Sequence, residues 1–362
     1  MKKYIIIGLL ILVGGVFLLK PLFTGSGEID PTEEVLPAIF KFEDNLATVS
    51  DEKAPIVIIV NTDDIEKLEL YYNDSILKTW KNPKGKINFT LDAGLFGVGT
   101  RTLNLLSTLK DGSSFVDNRM VRVLSDIVPV KKTAQILGEF PHDPSSFTQG
   151  LAFYNGKLYE GTGDPGNQGK TIVAEVDLST GEVLNSMGLQ AGYFGEGVTI
   201  LNDKIYQLTW KNQKCYVYNV KTLQLLSEFD YKGEGWGLTH DGTSLIMSDG
   251  TERIVFRDPK TFAIERTIEV YNNQGPINYL NELEYIDGKV YANVWTTAGV
   301  AVFDPKTGKV LEEIDGSELF KLGRGTGEVL NGIAHNPATG KTYMTGKNWI
   351  KMFEVKFTET GK

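Results

Sequence analysis

One carboxylate in this sequence stands among aromatic residues in a way that suits proton transfer. Glu196 lies in the glycine-flanked stretch Phe194-Gly-Glu-Gly197, and Trp210, Trp236 and Trp295 recur at matching points of a repeated pattern. Burial beside apolar rings raises a carboxyl pKa toward neutrality, because a low dielectric disfavours the charged form. A group so tuned can both accept and donate a proton. Glu234 in Gly233-Glu-Gly-Trp-Gly237, with Glu282 and Glu284 in Asn281-Glu-Leu-Glu284, are rival carboxylates; for each, a structural role at a strand entry outweighs catalysis. Other chemistries have less to work with. The single cysteine, Cys215, sits in the alternating run Cys215-Tyr-Val-Tyr218, which reads as a half-buried strand thiol. His142, His240 and His335 show no ligand spacing, so no histidine-built zinc site is expected. A net charge of −9 and a pI near 5.1 leave no basic stripe for phosphates, which argues against nucleic acid.

A repeat brings the candidate residues together. Tight turns recur at Asn155-Gly156, Asn202-Asp203, Asp241-Gly242, Asp287-Gly288 and Thr339-Gly340. Each is followed by a similar strand, such as Lys157-Leu-Tyr, Lys204-Ile-Tyr and Lys289-Val-Tyr. A unit of about 40–50 residues built from hairpins has the size of one propeller blade. The last unit lacks room for a fourth strand, and the stretch from Thr133 to Glu139, ahead of the first, can supply it. The prediction is a five-bladed β-propeller closed by both ends of the chain, which removes exposed sheet edges. Aligned on the first strand of each unit, Gln149, Glu196, Trp236, Asn281 and Asn331 become equivalent. Aligned on the second, Gly163, Trp210, Gly250, Trp295 and Lys347 do. Antiparallel neighbours place both rings at one face. Hydration alone would explain Gln, Asn and Lys at a channel mouth. Three tryptophans there call for a ligand.

Ahead of the repeat, residues 40–126 carry short alternating strands and turn signals and read as a small immunoglobulin-like β-sandwich without chemistry of its own. Residues 25–39 form a polar linker. Met1-Lys-Lys followed by the apolar run Tyr4 to Leu19 reads as a signal anchor over 1–24, a membrane-spanning helix that leaves the rest outside the cytoplasm. The bacterial periplasm fits that topology, and cleavage with secretion is the alternative. The expected fold is therefore all-β, with the propeller over 127–358 behind the sandwich and the anchor helix.

Motifs in every unit resemble those of the plant and bacterial glutaminyl cyclases, or glutamine cyclotransferases. Among them are Phe140-Pro-His-Asp-Pro144, Phe147-Thr-Gln-Gly150, Phe194-Gly-Glu-Gly197, Leu208-Thr-Trp210 and Gly233-Glu-Gly-Trp-Gly-Leu238. Met247-Ser-Asp-Gly250, Leu280-Asn-Glu-Leu-Glu-Tyr285, Ala292-Asn-Val-Trp295, Leu330-Asn-Gly-Ile333 and Thr345-Gly-Lys347 continue the series. Ile350 departs from the more familiar Trp-Pro-Lys ending, past the ring positions. The resemblance spans about 140–355 and omits the anchor and sandwich. It implies an acyltransferase that cyclises N-terminal glutamine of peptides or proteins to pyroglutamate and releases ammonia. Glu196 would then shuttle the proton. Trp210, Trp236 and Trp295 would wall the pocket, backed by Phe147 and Phe194. Gln149 and Asn281, with Asn331 beside them, would hold substrate, and Lys347 would stabilise the oxyanion. No metal or cofactor is required for this chemistry, although a structural cation in the channel is compatible with it. A non-catalytic propeller binding peptides or sugars is the rival from another class. A metal-dependent propeller lactonase, with Glu196, Asn281 and Asn331 as a loose metal set, is the rival enzyme.

Overall fold

The computed structural model describes residues 35–360, together with a short pairing of Ile11–Leu12 with Gly15–Val16. The anchor expected over 1–24 and most of the 25–39 linker lie outside the described residues. Among those described, no helix is long and apolar enough to cross a membrane. The described chain is almost entirely β, broken by a 3₁₀ turn at Ala93–Leu95 and one helix, Ser317–Gly323.

Two sheets pack face to face over residues 38–124. One has five strands, ordered Leu46–Val49, Ser114–Leu124, Gly99–Leu109, Ile65–Tyr72 and Ser75–Lys81; the other has Ala38–Phe40, Lys53–Val60 and Lys86–Asp92. Alternation makes the core, because successive side chains of a strand point to opposite faces. Ala54, Ile56, Ile58 and Val60 turn inward from one strand and meet Leu68, Leu70, Leu103, Leu105, Val121 and Val123. Ala38–Phe40 begins inside the stretch read as linker, and its main chain is tied down where Phe40 N donates to the buried Asp117 carboxylate at 2.8 Å.

From residue 148 the chain folds as successive antiparallel four-stranded meanders. The first is Thr148–Tyr154, Lys157–Thr162, Ile172–Val176 and Val183–Gly188; the second is Gly195–Leu201, Lys204–Thr209, Lys214–Asn219 and Leu225–Asp230. The third is Leu238–His240, Leu245–Ser248, Arg253–Arg257 and Ile264–Glu269, and the fourth Leu280–Ile286, Lys289–Val294, Gly299–Phe303 and Val310–Asp315. Leu330–Asn336, Lys341–Gly346 and Lys351–Glu359 make the fifth, completed by Val130–Pro141 from ahead of the first. Val130–Thr133 also pairs in parallel with Glu312–Asp315, which merges the last two meanders into one eight-stranded sheet. Local chemistry sets the hairpins. Asn155 and Gly156 both take positive φ (49° and 78°), as do Asp287 and Gly288 (49° and 82°), the backbone that two-residue hairpin loops require.

The first strands of the meanders pack on one another in sequence, and Thr148–Tyr154 returns against Leu330–Asn336 to close the ring. Their spacing is very small. An ideal Cβ at Gly150 would lie 2.4 Å from Val198 N, one at Gly197 2.4 Å from Leu238 N, and one at Gly237 1.9 Å from Asn281 O. The fourth meander has Glu282 at the equivalent place. Its fully buried carboxylate accepts from Leu151 N (3.2 Å) and Ile333 N (2.8 Å), so it joins the fourth meander to the first and the fifth. Glu284 Oε1 likewise accepts from His335 N at 2.7 Å. These two of the three rival carboxylates therefore serve backbone donors.

The helix Ser317–Gly323 was not legible in advance, being too short to show a period. It leads from the fourth meander to the fifth, burying Leu319 and standing Phe320 against Trp349 at 6.1 Å between ring centroids. The two-sheet portion is fastened to the meanders by Arg101, paired with Glu269 at 2.5 Å, and by Thr100, whose amide donates to the same carboxylate at 3.0 Å. Replacing Glu282 with Gln turns one acceptor into a donor facing a backbone N–H. Glu282→Gln is expected to lose about 1–3 kcal/mol of stability, and an unchanged urea midpoint would refute the cross-axis role.

Candidate active site

The two rings read from the repeat meet at one face. Gln149, Glu196, Asn281 and Asn331 occupy the entries of first strands, with Trp236 two residues ahead of its own, while Trp210, Trp295 and Lys347 directly follow second strands. The pairing of first with second strand is irregular at these entries: the register shifts between Thr148 and Gly150, Gly195 and Val198, Leu280 and Leu283, and Leu330 and Ile333. Bulges of this kind re-aim a side chain away from the sheet's alternation. They fall on the residues with candidate chemistry. The second-strand positions held by glycine have a steric reason. A Cβ at Gly163 would sit 2.4 Å from the Phe194 ring, and one at Gly250 2.5 Å from Trp236.

The resulting cavity has a volume of about 570 Å³. Nine of the ten predicted site residues line it: Phe147, Gln149, Phe194, Glu196, Trp210, Trp236, Asn281, Trp295 and Lys347. The tenth, Asn331, lies beneath and is fully buried. Its amide donates to Thr148 O (3.0 Å) and to Gln149 Oε1 (3.3 Å), while Gln149 Nε2 donates to Glu196 Oε1 (3.1 Å). This directed chain fixes which end of the Gln149 amide faces the acid. Glu196 Oε2 is buried and, among the described residues, has no hydrogen-bond partner; the same holds for Asn281 Oδ1. Both atoms retain acceptor capacity for something entering the pocket.

Burial drives the Glu196 carboxyl well above the usual carboxylate range; Lys347 opposes the rise and Glu234 adds to it. Lys347, 4% exposed, has its ammonium pushed below the usual lysine value by the same loss of solvent, with Glu196 and Glu328 opposing. Its Nζ sits 4.9 Å from the centre of the Phe147 ring. The aromatic wall is continuous on one side, Phe147 to Phe194 (6.0 Å) to Trp210 (5.7 Å), and pairs Trp236 with Trp295 edge-on at 5.5 Å on the other. Trp295 stands at the rim, 37% exposed.

The pocket also has a mouth that repeat arithmetic does not reveal. Asp164, Pro165, Asn167, Tyr193, Lys211, Asn212 and Glu328 contribute to it from connecting loops. Its signal in the sequence is the long connection between Lys157–Thr162 and Ile172–Val176, where Asp164 Oδ2 accepts from Lys170 N at 2.9 Å and so ties the loop back on itself. The described residues hold no cluster of three or more His, Cys, Asp or Glu suited to a metal ion.

A buried carboxyl with one free oxygen, an amide clamp and a buried lysine stand together in a cavity that can admit a small group between aromatic rings. Residues 113–357 match the glutamine cyclotransferase family, and the chain belongs to that family. A glutaminyl-peptide cyclotransferase of Arabidopsis thaliana is 38% identical over 231 residues, covering 62% of this chain and 71% of that one. The crystal structure of Myxococcus xanthus glutaminyl cyclase superposes with a TM-score of 0.60 at 33% identity, covering 64% of this chain and 100% of that one. The family match starts at residue 113, just ahead of the strand Ser114–Leu124, so most of the two-sheet portion stands outside it.

Asn331→Ala removes the donor that orients Gln149 without touching the cavity wall. Its kcat/KM should fall about tenfold or more, as misplaced positioning groups do, at a stability cost of about 1–3 kcal/mol for the Thr148 carbonyl left without its donor. A variant of wild-type efficiency would show that Gln149 orients itself.

Proposed function

We propose that the chain cyclises the N-terminal glutamine of peptides and proteins to pyroglutamate, releasing ammonia, with Glu196 carrying the proton. We read the five meanders as a five-bladed β-propeller and the two-sheet portion as an immunoglobulin-like domain over 40–126. The observation that carries the mechanism is the buried, unpartnered Oε2 of Glu196 at the floor of the aromatic cavity.

The α-amine nitrogen attacks the substrate's own γ-carboxamide carbon. As that C–N bond forms, an amine proton passes to Glu196 Oε2. The carboxyl then returns the proton to the departing amide nitrogen, the old C–N bond breaks and ammonia leaves. Protons balance across the cycle, and no metal or cofactor is needed. The amine must attack as the free base. An ordinary α-amine titrates near ~7.7–8.0, and an aromatic enclosure disfavours its charged form. Gln149 holds Glu196 Oε1 and leaves Oε2 to react, Asn281 Oδ1 accepts from the substrate amine or amide, and the Lys347 ammonium stabilises charge growing on the amide oxygen. The raised Glu196 pKa brings acceptance and delivery of the proton closer in energy. For localisation, Lys2 and Lys3 ahead of the apolar run support an anchored, extracytoplasmic enzyme.

An ammonia-release assay on Gln-initiated peptides tests the reading. Glu196→Gln keeps shape and should lower kcat by about 10²–10⁴ while substrate still binds; retention of the parent rate would falsify the shuttle. Saturable peptide binding without ammonia release by the wild type would instead favour a binding module. The pH profile follows from the charges. Glu196 must be ionised to take the first proton, so kcat falls as pH drops through its raised pKa. Lys347 favours that ionised form, so Lys347→Met should move the acid limb to higher pH. A limb that stays put, or moves lower, contradicts the assignment.

A further inference from the structure

Glu234 lies in the connection from Leu225–Asp230 to Leu238–His240, between the second and third meanders. One of its oxygens, Oε2, accepts from the indole of Trp210 at 2.7 Å and from that of Trp236 at 3.0 Å. Those two rings come from different meanders and from different rings of the repeat. The backbone beside the carboxylate is held as well, with Gly235 N donating to Trp210 O at 3.1 Å. A Cβ on Gly235 would come within 2.2 Å of the Tyr231 hydroxyl, so the connection has no slack there. The other oxygen is 3.8 Å from Lys211 Nζ, which itself sits 4.0 Å over the Trp210 ring.

We propose that Glu234 is a positioning residue for the cyclisation pocket, a shared acceptor that locks Trp210 and Trp236 in one mutual orientation and places a fixed negative charge near Glu196. The proposal rests on the functional reading above for its kinetic consequences, but the ring geometry can be read without turnover. A single carboxylate oxygen receiving two indole N–H groups couples the rings: neither can rotate without breaking a charge-assisted hydrogen bond. Indole also has no other polar atom with which to re-bond. Its charge acts separately. The groups facing Glu196 are Lys347, which favours its ionised form, and Glu234, which disfavours it, with the Tyr231 hydroxyl close by. Lys211 faces Glu234, Glu328 faces Lys347, and Asp164 lines the same cavity.

Two substitutions in the full chain separate the roles. Glu234→Gln retains an oxygen acceptor and removes the charge; Glu234→Met keeps the length and removes both. For Glu234→Met, KM for a Gln-Ala dipeptide should rise about tenfold, kcat should fall by less, and the near-ultraviolet circular dichroism of tryptophan should change. Glu234→Gln should rescue the tryptophan bands and most of the KM, while the acid limb of kcat moves to lower pH in both variants. Trp210→Phe, which keeps a ring but removes an N–H, should raise KM with Glu234 intact. Wild-type KM and tryptophan bands in Glu234→Met would overturn the positioning role, and an unmoved acid limb in both variants would overturn the electrostatic one. If the wild type released no ammonia, the functional reading would fail. The tryptophan bands of the two variants would then decide the positioning role alone.

Discussion

Close approach of strands around one axis is the constraint on which the rest of this structure depends. Gly150, Gly197 and Gly237 face the next strand's backbone at distances no side chain tolerates. The first strands can therefore converge, and their entries crowd five side chains into one face. Glycine here serves proximity more than flexibility. Where the pattern breaks, at Glu282, the substituted carboxylate fills the axis and accepts two backbone N–H groups. Burial pushes that carboxyl well above the usual carboxylate range, Glu284 adds to the rise, and the two backbone N–H groups that satisfy its oxygens oppose it.

That same convergence makes the pocket chemically unusual. Polar groups of the first ring are drawn below the surface while tryptophans of both rings stand above them, so water is displaced from a carboxyl and an ammonium at once. Desolvation raises Glu196 and lowers Lys347, and each moderates the other. Neither has a salt-bridge partner within 4.0 Å among the described residues. The pocket thus holds two titratable groups that burial shifts toward their neutral forms. Glu234 completes the arrangement from the rim, tethering rings that would otherwise be held by packing alone.

The two-sheet portion contributes no wall to the cavity. It is nonetheless joined to the meanders by a partly buried ion pair, Arg101 with Glu269, and by Lys309 with Asp126 at 2.5 Å. A sequence reading treats the two parts as separate because hydrophobic alternation reports only which face of a strand is buried. Charges that meet across more than 160 residues leave no local pattern.

Much of the architecture was legible in advance. Turn pairs such as Asn155-Gly156 and Asp287-Gly288 mark hairpins because few residues adopt positive φ without strain, and the orphan strand ahead of the first unit follows from counting strands. Equivalence of repeat positions brought seven predicted residues to one cavity, since identical units around an axis must present identical positions to it, and Phe147 and Phe194 came from the family resemblance. Asn331 shows where that logic stops. Equivalence places it at the ring, yet the structure buries it beneath Gln149 as a hydrogen-bond donor. The loop-built mouth, the short helix and the double indole contact of Glu234 were likewise invisible. The sequence by itself determined which residues converge, because periodicity is written along the chain. Tertiary structure alone decided what each one touches, because bulges, burial and hydrogen-bond direction arise only when separate strands meet.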